Sequence, residues 1–263
     1  MKRNRKFTNM LLASRHKKIL DILNRQGNVK VTDLASYFGV SEVTARRDLD
    51  MLADQSYLVR VRGGALSNKP GTSYEPVYET KSVECIEEKR RIGAAAAALV
   101  KDGETLILDS GSTTWHVGTC LPGKSDLTVI TTDLKIAILL ANYSDMHVFI
   151  TGGAVRPHLF SCYGQSSENF VKKLNVNKFF LGADAIDARR GITNAMFEEA
   201  PIKKDMIKSA QEVILVVDHT KFNKISLAHI TDFSGIDHII TDKKMPREFI
   251  KIFEKEDIKI TIV

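Results

Sequence analysis

The sequence predicts two domains of different class: a small helical module at the N-terminus and a larger α/β domain that follows it. Three observations predict this. The chain has 263 residues, 43% hydrophobic and 27% charged, which is a globular composition long enough for two domains. Residues 1–70 hold 14 Lys and Arg against 6 Asp and Glu, whereas the remainder holds 24 against 26. From about Val83, helix-like and strand-like runs alternate.

Three short amphipathic patterns precede residue 55, each with apolar residues at helical spacing. They are Ile19, Leu20 and Leu23; then Val31, Leu34, Ala35 and Phe38; then Ala45, Leu49 and Leu52. Gly27 and Gly39 close the first two patterns, and Ser41 stands where the third helix would have its N-cap. Three such helices with a tight turn before the last form a helix-turn-helix, in which the last helix enters the major groove of DNA.

Two adjacent arginines, Arg46 and Arg47, lie in the third helix on the side away from the predicted core. Arg47 would point outward beside Val43, with Thr44 on its flank. An alternative reading needs no DNA, because Arg46 and Asp50 are four residues apart and could form a solvated ion pair. The third helix by itself leaves both readings open.

A short hairpin is predicted after this helix. The residues from Tyr57 to Arg62 alternate, so that Arg60 and Arg62 share one face of a strand. Gly63 and Gly64 permit a sharp turn, after which the chain returns. A hairpin in this position is the wing of a winged helix-turn-helix.

The stretch SEVTARRDLDMLADQSYLVRVRGGAL resembles the winged helix-turn-helix of the DeoR family of bacterial transcription regulators. Matching residues are Ser41, Thr44, Arg46, Arg47, Asp48, Leu49, Gly63, Gly64 and Ala65. The family commonly has His where this chain has Arg62, which keeps a hydrogen-bond donor and adds a fixed charge. Together with the outward face, the resemblance implies DNA contacts from Ser41, Val43, Thr44, Arg46, Arg47, Arg60, Arg62 and Gly63.

Charge distribution supports a nucleic-acid partner independently, since all the net positive charge lies in the first quarter of the chain. The basic arm from Met1 to Asn9 would either track phosphates or form a disordered tail. The apolar run behind it is too short for a secretory signal, and no run approaches the roughly 18 residues of a membrane span. The three cysteines are widely spaced, at Cys85, Cys120 and Cys162. No disulfide framework, metal site or cofactor is therefore expected, and the expected setting is the cytoplasm.

The predicted organisation is a DNA-binding domain over residues 1–66, a linker over 67–82 and a sensor and oligomerisation domain over 83–263. Two prolines and a glycine in SNKPGTSYEPVYETK suggest the linker. Predicted helices beyond it are 87–100, about 115–120, 133–141, 167–174, 196–210 and 246–255. Predicted strands are 105–108, 127–130, 147–150, 178–182, 213–217, 239–242 and 258–263. This alternation predicts a mainly parallel sheet flanked by helices.

In such a sheet, ligands bind beyond the carboxyl ends of the strands. The most suggestive loop is DSGSTT, from Asp109 to Thr114, where Gly111 and hydroxyl residues lead from a strand into a helix. Hydroxyls and helix N-terminal N–H groups suit a phosphate. A Ser- and Thr-rich helix cap without a ligand is the alternative. Thr132-Asp133, Gly152-Gly153, Gly182 and Asp184 also follow strands, and several such positions together fit a small phosphorylated polyol.

The motifs DSGSTT, TGGAV, FLGADAID, GITN, EEAPIKKDMIKSA and VVDHTKF resemble the DeoR-family C-terminal sensor domain, which is similar in fold to ribose-5-phosphate isomerase and binds sugar phosphates. The resemblance implies effector-binding roles for Asp109, Gly111, Ser112, Thr113, Thr114, Asp133, Gly152, Gly153, Asp184, Lys203 and Lys221. At Asp133 the family usually has Asn. A carboxylate accepts but does not donate, so a different hydroxyl pattern is expected there.

The sequence therefore predicts a cytoplasmic transcription regulator, a repressor of a carbohydrate operon under a phosphorylated sugar effector. Its expected partners are operator double-stranded DNA, the effector and further copies of itself in a homodimer or homotetramer, with no membrane. An isomerase-like enzyme fused to a DNA-binding module is the alternative, although no acid besides Asp184 stands out as its base. Another alternative is a DNA-binding protein whose second domain only forms oligomers. The sugar, operon and sign of regulation are left open.

Overall fold

The computed structural model describes residues 12–26, 28–55, 57–67, 72–73 and 75–263. The chain forms two compact units, Met1–Gly71 and Thr72–Val263. The basic arm and Gly27, both discussed above, lie outside the described residues. No helix in the described part of the chain has the length and apolar character needed to cross a membrane.

The smaller unit is a winged helix-turn-helix, as predicted. Its elements are α1 (Leu12–Gln26), β1 (Asn28–Lys30), α2 (Val31–Phe38), α3 (Glu42–Asp54), β2 (Leu58–Val61) and β3 (Gly64–Ser67). The predicted apolar stripes meet in one core, with Leu23, Phe38 and Leu49 all buried. Gly39 ends α2 at a φ of 67°, a left-handed conformation that glycine adopts without strain.

The wing has one strand more than the sequence predicts. β2 and β3 form the expected antiparallel hairpin, and β1 pairs with the far edge of β3. A three-residue strand offers no apolar alternation to read, so its pairing is visible only in the folded unit. Strand β3 is thus paired on both of its edges.

The larger unit contains a seven-stranded sheet in which each adjacent pair is parallel, in the order β15-β14-β12-β9-β4-β5-β6. Its elements are α4 (Tyr78–Val83), α5 (Ile86–Ala98), β4 (Thr105–Leu108), α6 (Ser112–Thr119), β5 (Leu127–Thr131), α7 (Leu134–Leu140), β6 (Met146–Ile150), β7 (Ala154–Val155), β8 (Cys162–Tyr163), α8 (Gln165–Val171), β9 (Val176–Leu181), β10 (Ala185–Asp187), β11 (Gly191–Asn194), α9 (Ala200–Ser209), β12 (Ala210–Val216), β13 (Ala228–Thr231), β14 (His238–Thr241), α10 (Glu248–Lys255) and β15 (Lys259–Ile262).

Both faces of this sheet are covered, which explains its nearly continuous apolar strands. Successive residues of β4 enter opposite cores: Ile107 joins the side that contains Phe179 and Phe249, whereas Leu106 and Leu108 join the other. The predicted mainly parallel sheet flanked by helices is confirmed.

Several predicted boundaries differ from the structure. The predicted helix 196–210 is a 3₁₀ turn, Phe197–Glu199, followed by α9, and residue 210 already begins β12. The small antiparallel sheet β10-β11-β13 was not predicted, because its short strands pair through tertiary contacts. Helix α4 lies within the segment predicted as linker and contacts α6. Part of that segment therefore belongs to the larger unit.

The chain reverses its direction across the sheet at β4. From β4 it proceeds outward to β5 and β6, and it then returns to β9 on the other side of β4. A crevice opens beyond the carboxyl ends of strands at such a switch point. The loops after β4 and β9 are therefore the first place to look for a ligand site.

Candidate nucleic-acid interface and effector pocket

The N-terminal half of α3 presents an open polar face. Ser41 caps the helix, its hydroxyl accepting a hydrogen bond from the Thr44 N–H at 3.1 Å. Val43, Arg46 and Arg47 are exposed, and Thr44 is half-buried. No ion pair or hydrogen bond of the Arg47 side chain occurs among the described residues, so its guanidinium is available to a partner.

The Arg46–Asp50 ion pair of the alternative reading does not form. Arg46 pairs instead with Glu42, one turn earlier, at 3.0 Å. Asp50 accepts from Arg60 of the wing at 2.6 Å, and Arg60 also donates to the Gly64 carbonyl. A sequence rule based on helical spacing misses the wing as a competitor for Asp50 because that contact is not local.

The two wing arginines are placed differently. Arg60 is half-buried and engaged, whereas Arg62 is exposed in the turn beside Gly63. Arg62 thus offers its charge to a phosphate directly, and Arg60 would first have to leave Asp50. Val59 and Val61, on the opposite face from Arg60, are themselves exposed.

The predicted phosphate loop lies at the switch point. Gly111 has a φ of 147° and is the N-cap of α6, a backbone shape that favours glycine. The Thr114 hydroxyl donates back to the Gly111 carbonyl at 2.9 Å, closing the turn. Ser112 and Thr113 occupy the first helical positions, where backbone N–H groups lack helical partners and favour an anion.

Asp109 connects the loop after β4 with the loop after β9. It is buried, and its Oδ2 accepts from the Gly182 N–H at 3.0 Å and from Lys203 Nζ at 2.6 Å. Burial works against the charge on Lys203, but Asp109, Glu199 and Asp184 overcome it and raise the lysine's pKa. Lys203 therefore remains a cation beside the loop.

Asp133 lies behind the loop as the N-cap of α7. Its carboxylate accepts from the N–H groups of Gly111, Lys135 and Ile136, at 3.1, 2.8 and 3.3 Å. Burial raises the pKa of Asp133 to about 6, and the backbone donors oppose that rise. Each of these partners is a donor, which suits an acceptor-only carboxylate.

A polar pocket opens above this loop and encloses about 410 Å³, including space open to solvent. Of the predicted effector residues, those that line it are Gly111, Ser112, Thr113, Thr114, Asp184, Lys203 and Lys221. Asp109 and Asp133 support the loop from behind it. Gly152 and Gly153 follow β6 and do not line the pocket; the Gly152 carbonyl accepts a hydrogen bond from Ser167.

Several lining residues were not predicted, namely Glu75, Lys81, Asn194 and Glu199. Glu75 and Lys81 belong to the segment predicted as linker, whose prolines and glycine hide them. Glu199 is buried and accepts from Ser161 at 2.6 Å. It shares the pocket lining with Asp184.

A potential cation cluster occurs elsewhere in the described residues. Ligand atoms of Cys85, Asp218 and His219 lie within 4.8 Å of one another, which the wide spacing of the cysteines did not predict. Lys89 Nζ, however, lies 3.9 Å from Asp218 Oδ2. Since that ammonium already compensates the carboxylate, the cluster supports no metal assignment.

Family comparison agrees with both units. Residues 15–71 match the DeoR-like helix-turn-helix domain, and residues 84–243 match the DeoR C terminal sensor domain. The regulator YulB of Bacillus subtilis is 34% identical over 97% of this chain and 98% of its own length. GolR of Listeria innocua is 32% identical over 96% of this chain and 99% of its own length. The glycerol-3-phosphate regulon repressor of Escherichia coli K12 is 28% identical over 96% of this chain and 100% of its own length.

Among solved structures, ribose 5-phosphate isomerase A of Methanocaldococcus jannaschii aligns with a TM-score of 0.38 and 19% identity, covering 52% of this chain and 54% of that one. The chain spans about half the length of that isomerase. A structural similarity this weak says nothing about the activity of the chain. The full-length relatives are named as transcription regulators and not as enzymes. The chain is therefore a DNA-binding transcription regulator that belongs to the DeoR family.

Proposed function

We propose that this regulator represses a carbohydrate or polyol-phosphate operon and that a phosphorylated sugar or polyol bound above Ser112–Thr114 changes its affinity for the operator. The observation that supports it most is the pocket at the sheet's switch point, where hydroxyls, a helix N-terminus and three lysines converge. The Escherichia coli relative is named a repressor of the glycerol-3-phosphate regulon, which agrees with a phosphorylated effector. The regulator acts on chromosomal DNA in the cytoplasm.

The DNA-binding unit uses α3 in the major groove and the wing beside it. Arg47 reads base edges, while Arg62 contacts phosphate. Ser41, Val43, Thr44, Arg46, Arg60 and Gly63 complete the surface. Residues 1–66 are the DNA-binding domain, and residues 83–263, together with the part of the predicted linker that belongs to the larger unit, sense the effector and assemble the chain. The operator is expected to contain repeated half-sites, because symmetric homodimers or homotetramers present paired recognition helices.

Replacing Arg47 by Ala should weaken binding to an operator selected from a random-sequence DNA pool by about 1 to 3 kcal/mol, with little loss on unselected DNA. Fluorescence anisotropy at fixed salt measures both affinities. Arg46→Ala is the matched control, since Arg46 is held by Glu42 and should matter less. Equal losses on both DNAs would reduce Arg47 to a phosphate contact.

A phosphorylated sugar that fits the pocket should raise the melting temperature of the full chain, and its unphosphorylated counterpart should not. At about 100 times its dissociation constant, a ligand that binds only the folded state stabilises it by about 2.7 kcal/mol. Thermal-shift screening of matched pairs measures this. If no phosphorylated member stabilises the chain, the larger unit only assembles, and the effector half of the proposal fails.

A further inference from the structure

The effector pocket already contains an anion that belongs to the chain. Glu75, whose side chain is 6% exposed, accepts from Lys81 Nζ through Oε1 and from Arg156 Nη1 through Oε2, both at 2.5 Å. Lys81 also lies 3.2 Å from Asp184 Oδ1. Glu75 and Lys81 line the pocket above Ser112–Thr114 as well as a smaller adjoining one that reaches Arg156. The ion pair thus lies where two adjoining pockets meet, and these two pockets are together called the effector cleft.

The charges in this cleft are matched without any ligand. Asp109 neutralises Lys203 from behind the loop. The other lining cations are Lys81, Arg156 and Lys221, and the lining carboxylates are Glu75, Asp184 and Glu199. A phosphate monoester adds between one and a half and two negative charges at neutral pH. Such a ligand would leave the cleft strongly negative unless one carboxylate withdrew.

Glu75 is the carboxylate best able to withdraw. Asp184 follows a central strand and also accepts from the Ala195 N–H at 3.0 Å, and Glu199 is the N-cap of α9. Glu75 lies on an irregular stretch, and Arg156 would keep Glu199 at 3.4 Å as a partner after Glu75 left. Burial raises the pKa of Glu75, and Asp184 and Glu199 add to this while Lys81 and Arg156 oppose it.

We infer that Glu75 is a built-in competitor of the effector: its carboxylate occupies Lys81 in the unliganded chain, and the phosphate group of the effector takes Lys81 and expels it. This inference rests on the proposed function and adds how the ligand signals. Thr72 is the first residue of the larger unit, so expelling Glu75 displaces the N-terminal end of that unit. Tyr78 is buried, and its backbone N–H donates to the His158 carbonyl at 3.1 Å, which anchors the far end of this stretch.

Removing the competitor should strengthen phosphate binding. A ligand that must displace an internal group binds more weakly, in proportion to the fraction of time that the internal group occupies the site. The Glu75→Gln chain should therefore bind inorganic phosphate about tenfold more tightly than the unsubstituted full chain. Calorimetry measures both affinities. Glu79→Gln, which alters an exposed acid on the same segment, should change nothing. Adding Lys81→Met to Glu75→Gln should abolish the gain. An unchanged or weaker affinity in a folded Glu75→Gln chain would overturn the inference.

Hydrogen exchange on the unsubstituted chain tests the expulsion without any substitution. The Leu227 N–H donates to the Thr72 carbonyl at 2.8 Å. Saturating phosphate should therefore reduce protection of the Leu227 amide, while the Tyr78 amide keeps its protection and chloride at equal ionic strength has no effect. Unchanged protection at Leu227 would overturn the inference alone. If neither inorganic phosphate nor any phosphorylated sugar binds the unsubstituted or the Glu75→Gln chain, the proposed effector function itself fails.

Discussion

Replacing Asp48 by Ala should destabilise the DNA-binding unit by about 3 kcal/mol. Asp48 is 2% exposed and accepts from Arg15 Nε and Nη2 at 2.5 and 2.9 Å, with His16 Nε2 at 3.3 Å. This arrangement ties α1 to α3. Removing one partner of a buried ion pair costs about 3 to 5 kcal/mol. The lower end is expected because the Arg15 side chain is 13% exposed.

Native-state hydrogen exchange in the full chain measures this loss where it occurs. The free energy of opening at amides in α3 should fall, while amides of the larger unit should not change. Asp50→Ala is the control, since it removes an acid from the same helix whose side chain is 58% exposed and should cost about 1 kcal/mol or less. Similar small losses in both variants would show that the Arg15 pair contributes little. Asp48 would then owe its place in the helix to something other than stability.

Many features of both units are determined by residues that lie close together in the sequence. The Ser41 cap, the inward stripe of Ala45 and Leu49, and the apolar run of β4 each follow from spacing within a few residues. The strand-to-helix loop DSGSTT is likewise visible within a few residues. Such features are predictable because neighbouring residues form them.

The features that the sequence did not predict join distant residues. Asp48 and Arg15 are 33 residues apart, Glu75 and Arg156 are 81 apart, and Lys81 and Asp184 are 103 apart. A periodic pattern contains no record of such pairs. Glu75 was further obscured because Pro70, Gly71 and Pro76 suggest a linker, although a proline-bearing stretch can still pack onto a domain.

Replacing Thr113 by Asp should abolish the effector response and leave operator binding without effector unchanged. Thr113 lines the pocket at the second helical position of α6. A carboxylate there would repel a phosphate about 4 Å away by roughly 4 kcal/mol at an effective dielectric constant of 20. The helix itself should tolerate the change, because a negative charge near a helix N-terminus is favourable.

Thr113→Asn is the matched control for that substitution. It has nearly the same size as Asp without the charge, so it should keep most of the response if repulsion is the cause. Operator affinity is measured for both variants with and without the sugar phosphate that stabilises the unsubstituted chain, and a melting curve verifies folding. A normal response from a folded Thr113→Asp chain would remove this loop from the effector site. Operator affinity already equal to that of the liganded chain would show that the new carboxylate imitates the ligand.

The same titrations impose a stricter requirement on the unsubstituted chain. If effector changes operator affinity by some factor, operator must change effector affinity by the same factor, because both factors express one coupling free energy. In Thr113→Asp both factors should approach one together. In Glu75→Gln the ligand-free chain should already show the operator affinity of the liganded unsubstituted chain, and both factors should again shrink. Unequal factors in any of these chains would mean that the two titrations do not report the same equilibrium, and a single two-state switch between pocket and DNA would be wrong.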